Sequence, residues 1–328
     1  MKYAVIGCPF ENGIRSMLRF ERGVTGAADG PKAIFSTFQE LFNEKYKDVA
    51  EWVMLSLEKY NLEVDAKNIN NSQLKKAQKM STLSAHHEIA AKTEALCADG
   101  YTLIGVGGDH SITYPLCKGI YGSKSGRKFG IIYIDAHLDM RPLEPDEDVD
   151  GVISSGNAFW RLLEDPKLEI SGENVVAIGI HDSRSEVFNR LKSYAEAQSV
   201  TIIYDHQVTD TEIDRIVEVV LKTAGDGTDY IYFSMDMDAV SSAFAPGVSA
   251  PAESGITDKQ LYKLVSGISS EPKVIGFDVV EISSRRLAWF EVVKNERRVE
   301  SYREKMEKLE QTATVGARAI DCFLSSRT

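Results

Sequence analysis

Phe129-Gly130-Ile131-Ile132-Tyr133-Ile134-Asp135-Ala136-His137-Leu138-Asp139 opens as an unbroken apolar run and closes on three ligand-type side chains spaced two apart. An apolar run without alternation is the pattern of a strand covered on both faces, as in a parallel sheet. In an extended chain, spacing of two turns Asp135, His137 and Asp139 to one side. Two more runs close in the same way, on Gly107-Gly108-Asp109-His110-Ser111 and on Ser234-Met235-Asp236-Met237-Asp238.

Working outward, further apolar runs lie at Tyr3 to Gly7, Thr102 to Val106, Val175 to Ile180, Val200 to Tyr204, Tyr230 to Phe233 and Val274 to Phe277. Segments of helical periodicity separate them at Asn71 to Ala98, Ser185 to Gln198, Thr211 to Ala224 and Asp258 to Gly267. Strands alternating with helices specify an open α/β sheet with helices on both faces, where ligands gather at the carboxyl ends of the strands. The three ligand segments fall at such ends.

His110, Asp135, His137, Asp139, Asp236 and Asp238 form a mixed nitrogen and oxygen set. It suits two first-row divalent ions, and the absence of thiols favours a harder ion such as manganese. Four carboxylates converging without a cation would be strongly destabilising. Two bridged dications sit about 3.5–4 Å apart and hold a water whose pKa falls toward neutrality, a nucleophile for a carbonyl- or amidine-type carbon. Asp139 is the candidate to relay a proton to the departing nitrogen, and Asp109 reads as a turn or supporting residue outside that set. Glu281 closes the last apolar run, where a carboxylate would meet an amidinium or guanidinium, though an ordinary charged strand exit reads the same. His86, His87 and His206 read as structural or exposed, while His181 and Asp182 follow a strand at the active edge.

The charge of −11, from 38 basic and 49 acidic residues, argues against a nucleic-acid footprint and leaves no basic stripe for a membrane surface. A small-molecule partner is the expectation. Four scattered cysteines form no Cys-x-x-Cys pair, and no apolar stretch approaches a membrane span, so a cytoplasmic setting is expected. With no repeat or linker, residues 1–328 read as one catalytic domain carrying a charged helical tail from about 291 to 328. Val299, Tyr302, Met306 and Leu309 give that tail one apolar stripe, read as a surface helix or a subunit contact. The acidic stretch Pro142 to Gly151 reads as a loop at the mouth of the site.

Taken together, the three ligand segments, Phe244-Ala245-Pro246-Gly247-Val248-Ser249-Ala250-Pro251 and the early Gly23-Val24-Thr25-Gly26-Ala27-Ala28-Asp29-Gly30-Pro31-Lys32-Ala33-Ile34 resemble the ureohydrolases, the arginase and agmatinase superfamily. The resemblance implies a three-layer α/β/α fold with a central mostly parallel sheet, two Mn2+ ions, and assembly as trimers or hexamers. It also implies the ligand sets: His110, Asp135, Asp139 and Asp236 for one ion, and His137, Asp135, Asp236 and Asp238 for the other. Asp139-Met140-Arg141 followed by Ser154-Ser155-Gly156-Asn157-Ala158-Phe159 is most similar to formimidoylglutamase, whereas arginases carry a shuttle histidine where Phe159 stands. That likeness implies hydrolysis of N-formimidoyl-L-glutamate to L-glutamate and formamide, with Glu281 on the amidinium. Arg141, Ser155, Asn157 and Arg184 become substrate contacts, and Arg141 is suited to pair bidentately with a carboxylate. The alternatives are another amidinohydrolase, acting on a guanidino acid, agmatine or arginine, and a non-catalytic binding protein. Ser241-Ser242, and Ile282-Ser283-Ser284 after Glu281, depart from the superfamily pattern.

Overall fold

Each of the seven apolar runs forms a strand, and one strand more completes the main sheet. This computed structural model describes residues 2–20, 24–146, 149–286 and 300–327. The strands are β1 (Lys2–Cys8), β2 (Ala50–Met54), β3 (Tyr101–Gly107), β4 (Phe129–Ile134), β5 (Glu144–Asp146), β6 (Val149–Val152), β7 (Val175–Ile180), β8 (Thr201–Tyr204), β9 (Tyr230–Asp236) and β10 (Val274–Val280). The helices are α1 (Asn12–Met17), α2 (Gly30–Tyr46), α3 (Ser72–Ala98), α4 (Thr113–Ser123), α5 (Ala158–Glu164), α6 (Glu186–Ala197), α7 (Ile213–Gly225), α8 (Asp258–Ser269) and α9 (Tyr302–Ser325).

Eight strands pair in the order β2-β1-β3-β10-β9-β4-β7-β8, every pair parallel. Alternate side chains feed two cores: Ile132, Ile134, Val176 and Ile178 join the α2, α7, α8 and α9 side, while Ile131, Tyr133, Val175 and Ala177 join the α3, α4 and α6 side. Burial on both faces explains why the runs are continuous rather than alternating. β2 was not anticipated, because this short edge strand sets exposed Glu51 and Met54 around half-buried Trp52 and Val53 and has no fully buried residue.

The C-terminal segment differs from the surface-helix expectation. Helix α9 is capped by Ser301 and Glu304 in a capping box. Tyr302 is exposed, but Leu309, Ala313, Ile320 and Phe323 are buried, and Phe323 stacks on Phe277 at 4.8 Å. The charged face that dominates its sequence is only its outer side. Val299 and the rest of 287–299, and Gly23 of the early element, lie outside the described residues. The Pro142–Gly151 stretch contributes to an antiparallel β5–β6 ribbon rather than a featureless loop, with 147 and 148 outside the described residues.

Candidate metal centre

The candidate ligands follow three strands in the middle of the sheet, β3, β9 and β4, and Glu281 follows β10, which lies between β3 and β9. The local chemistry that gathers them differs from the alternation expected of strands. β4 stops at Ile134 and β9 at Asp236, so Asp135, His137, Asp139 and Asp238 lie beyond regular strand geometry or at its last residue. A repeated turn does the gathering instead. Asp109 Oδ1 accepts the Ser111 N–H at 3.0 Å, Asp135 Oδ1 the His137 N–H at 2.6 Å, and Asp236 Oδ1 the Asp238 N–H at 2.8 Å. An aspartate that caps the amide two residues ahead folds the chain sharply at the strand end. The same acids are thus turn-formers and ligand-type groups at once. Gly108 makes this packing possible, since a Cβ there would lie 1.7 Å from the Phe10 carbonyl oxygen.

Two overlapping ligand groups result: His110, Asp135, Asp139 and Asp236, and then Asp135, His137 and Asp238. Within each group the donor atoms lie within 4.8 Å of one another. His110 Nδ1 stands 3.3 Å from Asp135 Oδ2, 3.1 Å from Asp139 Oδ2 and 3.0 Å from Asp236 Oδ2. His137 Nδ1 stands 3.6 Å from Asp135 Oδ1 and 3.0 Å from Asp238 Oδ2. His110 and Asp135 are fully buried, whereas the His137 side chain is 51% exposed. Asp139 and Glu281 both hold left-handed backbone angles, with φ of 43° and 65°. Such angles disfavour most L-residues by about 1–2 kcal/mol and mark segments held by their surroundings.

The donor set fits a pair of divalent ions. Buried His110 Nδ1 and Asp135 Oδ2 face each other and make no hydrogen bond. Burial, then the charges of Asp238 and Asp135, push the Asp236 carboxyl well above its ordinary range, and burial with Asp139 and Asp238 lifts Asp135 to about 6. Burial alone would lower His110, yet Asp135, Asp139 and Asp236 hold it well above the usual imidazole range. Acids packed this closely favour any added positive charge, which is what a dication supplies.

Glu281 joins the cluster from β10: its Oε1 accepts the His110 N–H at 2.7 Å, while its buried Oε2 makes no hydrogen bond. Burial, then the Asp109 charge, raises its pKa to about 8. Asp109 itself accepts the amides of Ile14 and Ser111, so it braces the site from behind. Phe159 stacks on Tyr133 at 3.7 Å and meets the His110 ring edge-on at 5.1 Å, so it fixes that imidazole sterically.

Among the expected substrate contacts, Arg141 follows Asp139 by two residues, and its N–H donates to the Gly156 carbonyl at 2.9 Å. Its side chain runs against Gly156, where a Cβ would come within 3.0 Å of Cδ. Ser155 is buried in the same turn. Asn157 is also fully buried, and both ends of its amide bond the loop backbone, to Ser154 N–H and Val152 carbonyl. The structure therefore gives Asn157 the work of shaping the loop rather than meeting a ligand. Arg184 is exposed on the segment after β7. His181 lies at the rim with its N–H on the Ala136 carbonyl, while burial holds its ring below the ordinary imidazole pKa. His86 is buried and structural, and His87 and His206 are exposed, as expected.

Sequence reasoning missed Ser234, Asp278, Thr113 and Tyr232, which form a buried hydroxyl and carboxylate network behind His110. The only available signal was an aspartate, Asp278, inside an otherwise apolar strand.

Comparison with known proteins agrees with this architecture. The formimidoylglutamase of Bacillus subtilis is 30% identical over 203 residues, 61% of this chain and 60% of that protein. The chain thus spans about three-fifths of that relative's length in the alignment. The guanidinobutyrase of Pseudomonas aeruginosa is 28% identical over 203 residues, 61% of this chain and 59% of that protein. The crystal structure of Trypanosoma cruzi formiminoglutamase with Mn2+ superposes with a TM-score of 0.72 at 20% identity, covering 99% of this chain and 93% of that one. That likeness establishes the fold. The model of the Arginase family matches residues 1–287, and the chain belongs to the arginase family.

Proposed function

We propose that the chain is a manganese-dependent formimidoylglutamase, which adds water to N-formimidoyl-L-glutamate and releases L-glutamate and formamide. The observation that carries this reading is Arg141, set two residues beyond the cluster residue Asp139 and tied to the Ser155–Asn157 turn through Gly156. A substrate derived from glutamate brings carboxylates that a guanidinium binds bidentately. Agmatine brings none.

His110, Asp135, Asp139 and Asp236 would hold one ion, and Asp135, His137 and Asp238 the other, with Asp236 shared as the family resemblance implies. When bound, such a pair supplies a water acidic enough to ionise near neutral pH. Glu281, buried and with Oε2 uncommitted, offers a carboxylate to the amidinium. A cation beside it restores the charge that burial disfavours. Asp139 borders the cluster and is the group placed to carry a proton to the departing nitrogen. Phe159 stands where arginases carry a shuttle imidazole and packs edge-on against the His110 ring. Arg184 and Ser155 complete the candidate contacts at the rim.

Relatives named formimidoylglutamase, at 30%, 34% and 28% identity, support the choice of substrate. Relatives named guanidinobutyrase and agmatinase keep a guanidino substrate as the second reading. We read residues 1–328 as one catalytic unit working in the cytoplasm as a trimer or hexamer. The four free cysteines are in keeping with a reducing compartment, and the assembly is what the family resemblance implies; no described helix is long and apolar enough to cross a membrane. The deciding assay incubates manganese-loaded protein with formimidoylglutamate, arginine, agmatine and guanidinobutyrate and measures formamide and urea. Formamide from the first alone is expected. Urea from any guanidino compound with formimidoylglutamate untouched overturns the substrate, and silence on all four favours a binding protein.

A further inference from the structure

We propose that Asp278, acting through Ser234, is a positioning residue that turns the His110 Nδ1 lone pair toward the cluster and thereby sets the affinity of one of its two cation positions. The inference rests on the reading of the cluster as a two-ion site, and it concerns residues that touch neither ion nor substrate.

The argument is one of hydrogen-bond direction. His110 Nε2 meets the Ser234 hydroxyl at 3.1 Å, and that hydroxyl lies 2.6 Å from Asp278 Oδ1. A carboxylate oxygen only accepts, so the single Ser234 proton points to Asp278. Ser234 can then offer His110 nothing but a lone pair, and Nε2 must be the donor. With the proton fixed on Nε2, Nδ1 is left as the ligand atom, 3.0–3.3 Å from the oxygens of Asp135, Asp139 and Asp236. Asp278 is itself locked: its Oδ2 accepts from Thr113 Oγ1 at 2.8 Å and from the Tyr232 hydroxyl. His110, Ser234, Asp278, Thr113 and Tyr232 are all fully buried. His137, the other imidazole of the cluster, is half in solvent and has no comparable chain behind it among the described residues. Outer partners that fix the tautomer and orientation of a ligand histidine are a general means of tuning metal affinity.

Two variants separate this role from mere packing. Ser234→Ala removes the acceptor. Asp278→Asn keeps the shape but lets the carboxamide donate to Ser234, which turns the hydroxyl proton back onto Nε2 and leaves the competing proton on Nδ1. Metal-stripped full-length protein is titrated with Mn2+ by calorimetry, and the cadmium-loaded form is followed by 113Cd resonance. Wild type is expected to bind two equivalents. In each variant one equivalent weakens roughly 10–100-fold, as is usual for loss of an outer partner, while the other is unchanged. One of two cadmium resonances shifts and the other stays. Wild-type affinity for both equivalents overturns the proposal, and so does equal weakening of both, which marks a general packing defect. A wild type that binds no Mn2+ overturns instead the two-ion reading. Thermal unfolding of the stripped proteins checks folding, and should Asp278→Asn fail to fold, Ser234→Ala carries the test.

Discussion

Arg141→Ala is the substitution that most directly separates substrate classes. The backbone N–H of Arg141 anchors the segment to Gly156, and that bond survives truncation of the side chain. Asp139, two residues earlier, is held separately by Phe159 N–H on its carbonyl at 3.1 Å. The cluster therefore stays in place and the guanidinium alone is lost. Charge-assisted hydrogen bonds contribute about 1.5–3 kcal/mol, which at 1.4 kcal/mol per tenfold corresponds to a rise in KM of roughly 10- to 150-fold. Because the carboxylate contact is the same in ground and transition states, kcat should hold while kcat/KM falls. Arg141→Lys should recover part of the loss, keeping the charge without the planar fork. Steady-state kinetics on formimidoylglutamate, with agmatine as a substrate lacking a carboxylate, make the measurement. An unchanged KM for formimidoylglutamate, or an equal rise for both compounds, refutes the placement of Arg141 at the substrate.

Phe159→Ala removes a ring that is 1% exposed and bears on both Tyr133 and His110, so a loss of about 3–5 kcal/mol in unfolding free energy is expected from urea titration, and under 1 kcal/mol would show that the ring is not a packing element. His86 is buried, its Nδ1 lies 3.1 Å from Arg161 Nη1, and burial followed by the Arg161 charge holds its pKa well below 6.5. The unfolded chain therefore binds the extra proton first: stability is full above pH 6.5 and falls as the pH drops below it, by up to about 1.4 kcal/mol per pH unit from this group. Urea midpoints from pH 7.5 to 5 should show that slope reduced in His86→Gln, and parallel curves would remove His86 as the source. Gly108→Ala forces a methyl onto the Phe10 carbonyl and should reduce stability by about 3 kcal/mol or more, read as loss of soluble folded protein or of melting temperature.

The fold was legible because parallel strands buried on two faces leave long apolar runs, and because the candidate acidic ligands themselves end those runs. The six candidate ligand positions, which the structure brings into two overlapping groups, were read from the same fact. The reason given for their convergence did not survive, since aspartate-capped turns, not strand alternation, bring Asp135, His137 and Asp238 together. β2 was missed because this five-residue edge strand carries a charge, Glu51, and has no fully buried residue. Helix α9 looked like a surface appendage because its polar residues outnumber the Leu309, Ala313, Ile320 and Phe323 stripe that seats it. Asn157 looked like a contact residue because a motif records identity and not the direction of an amide. Ser234 and Asp278 were invisible for a related reason: a buried hydrogen bond between adjacent strands joins positions 44 residues apart, and nothing in linear order announces it.

The unequal shelter of the two imidazoles has a kinetic consequence. His110 is buried against Phe159, whereas the His137 side chain is half exposed, so of the two imidazoles among the described residues the His137 ring is the one open to solvent. Reagents that alkylate or carbethoxylate imidazole should therefore reach the outer ring long before the inner one.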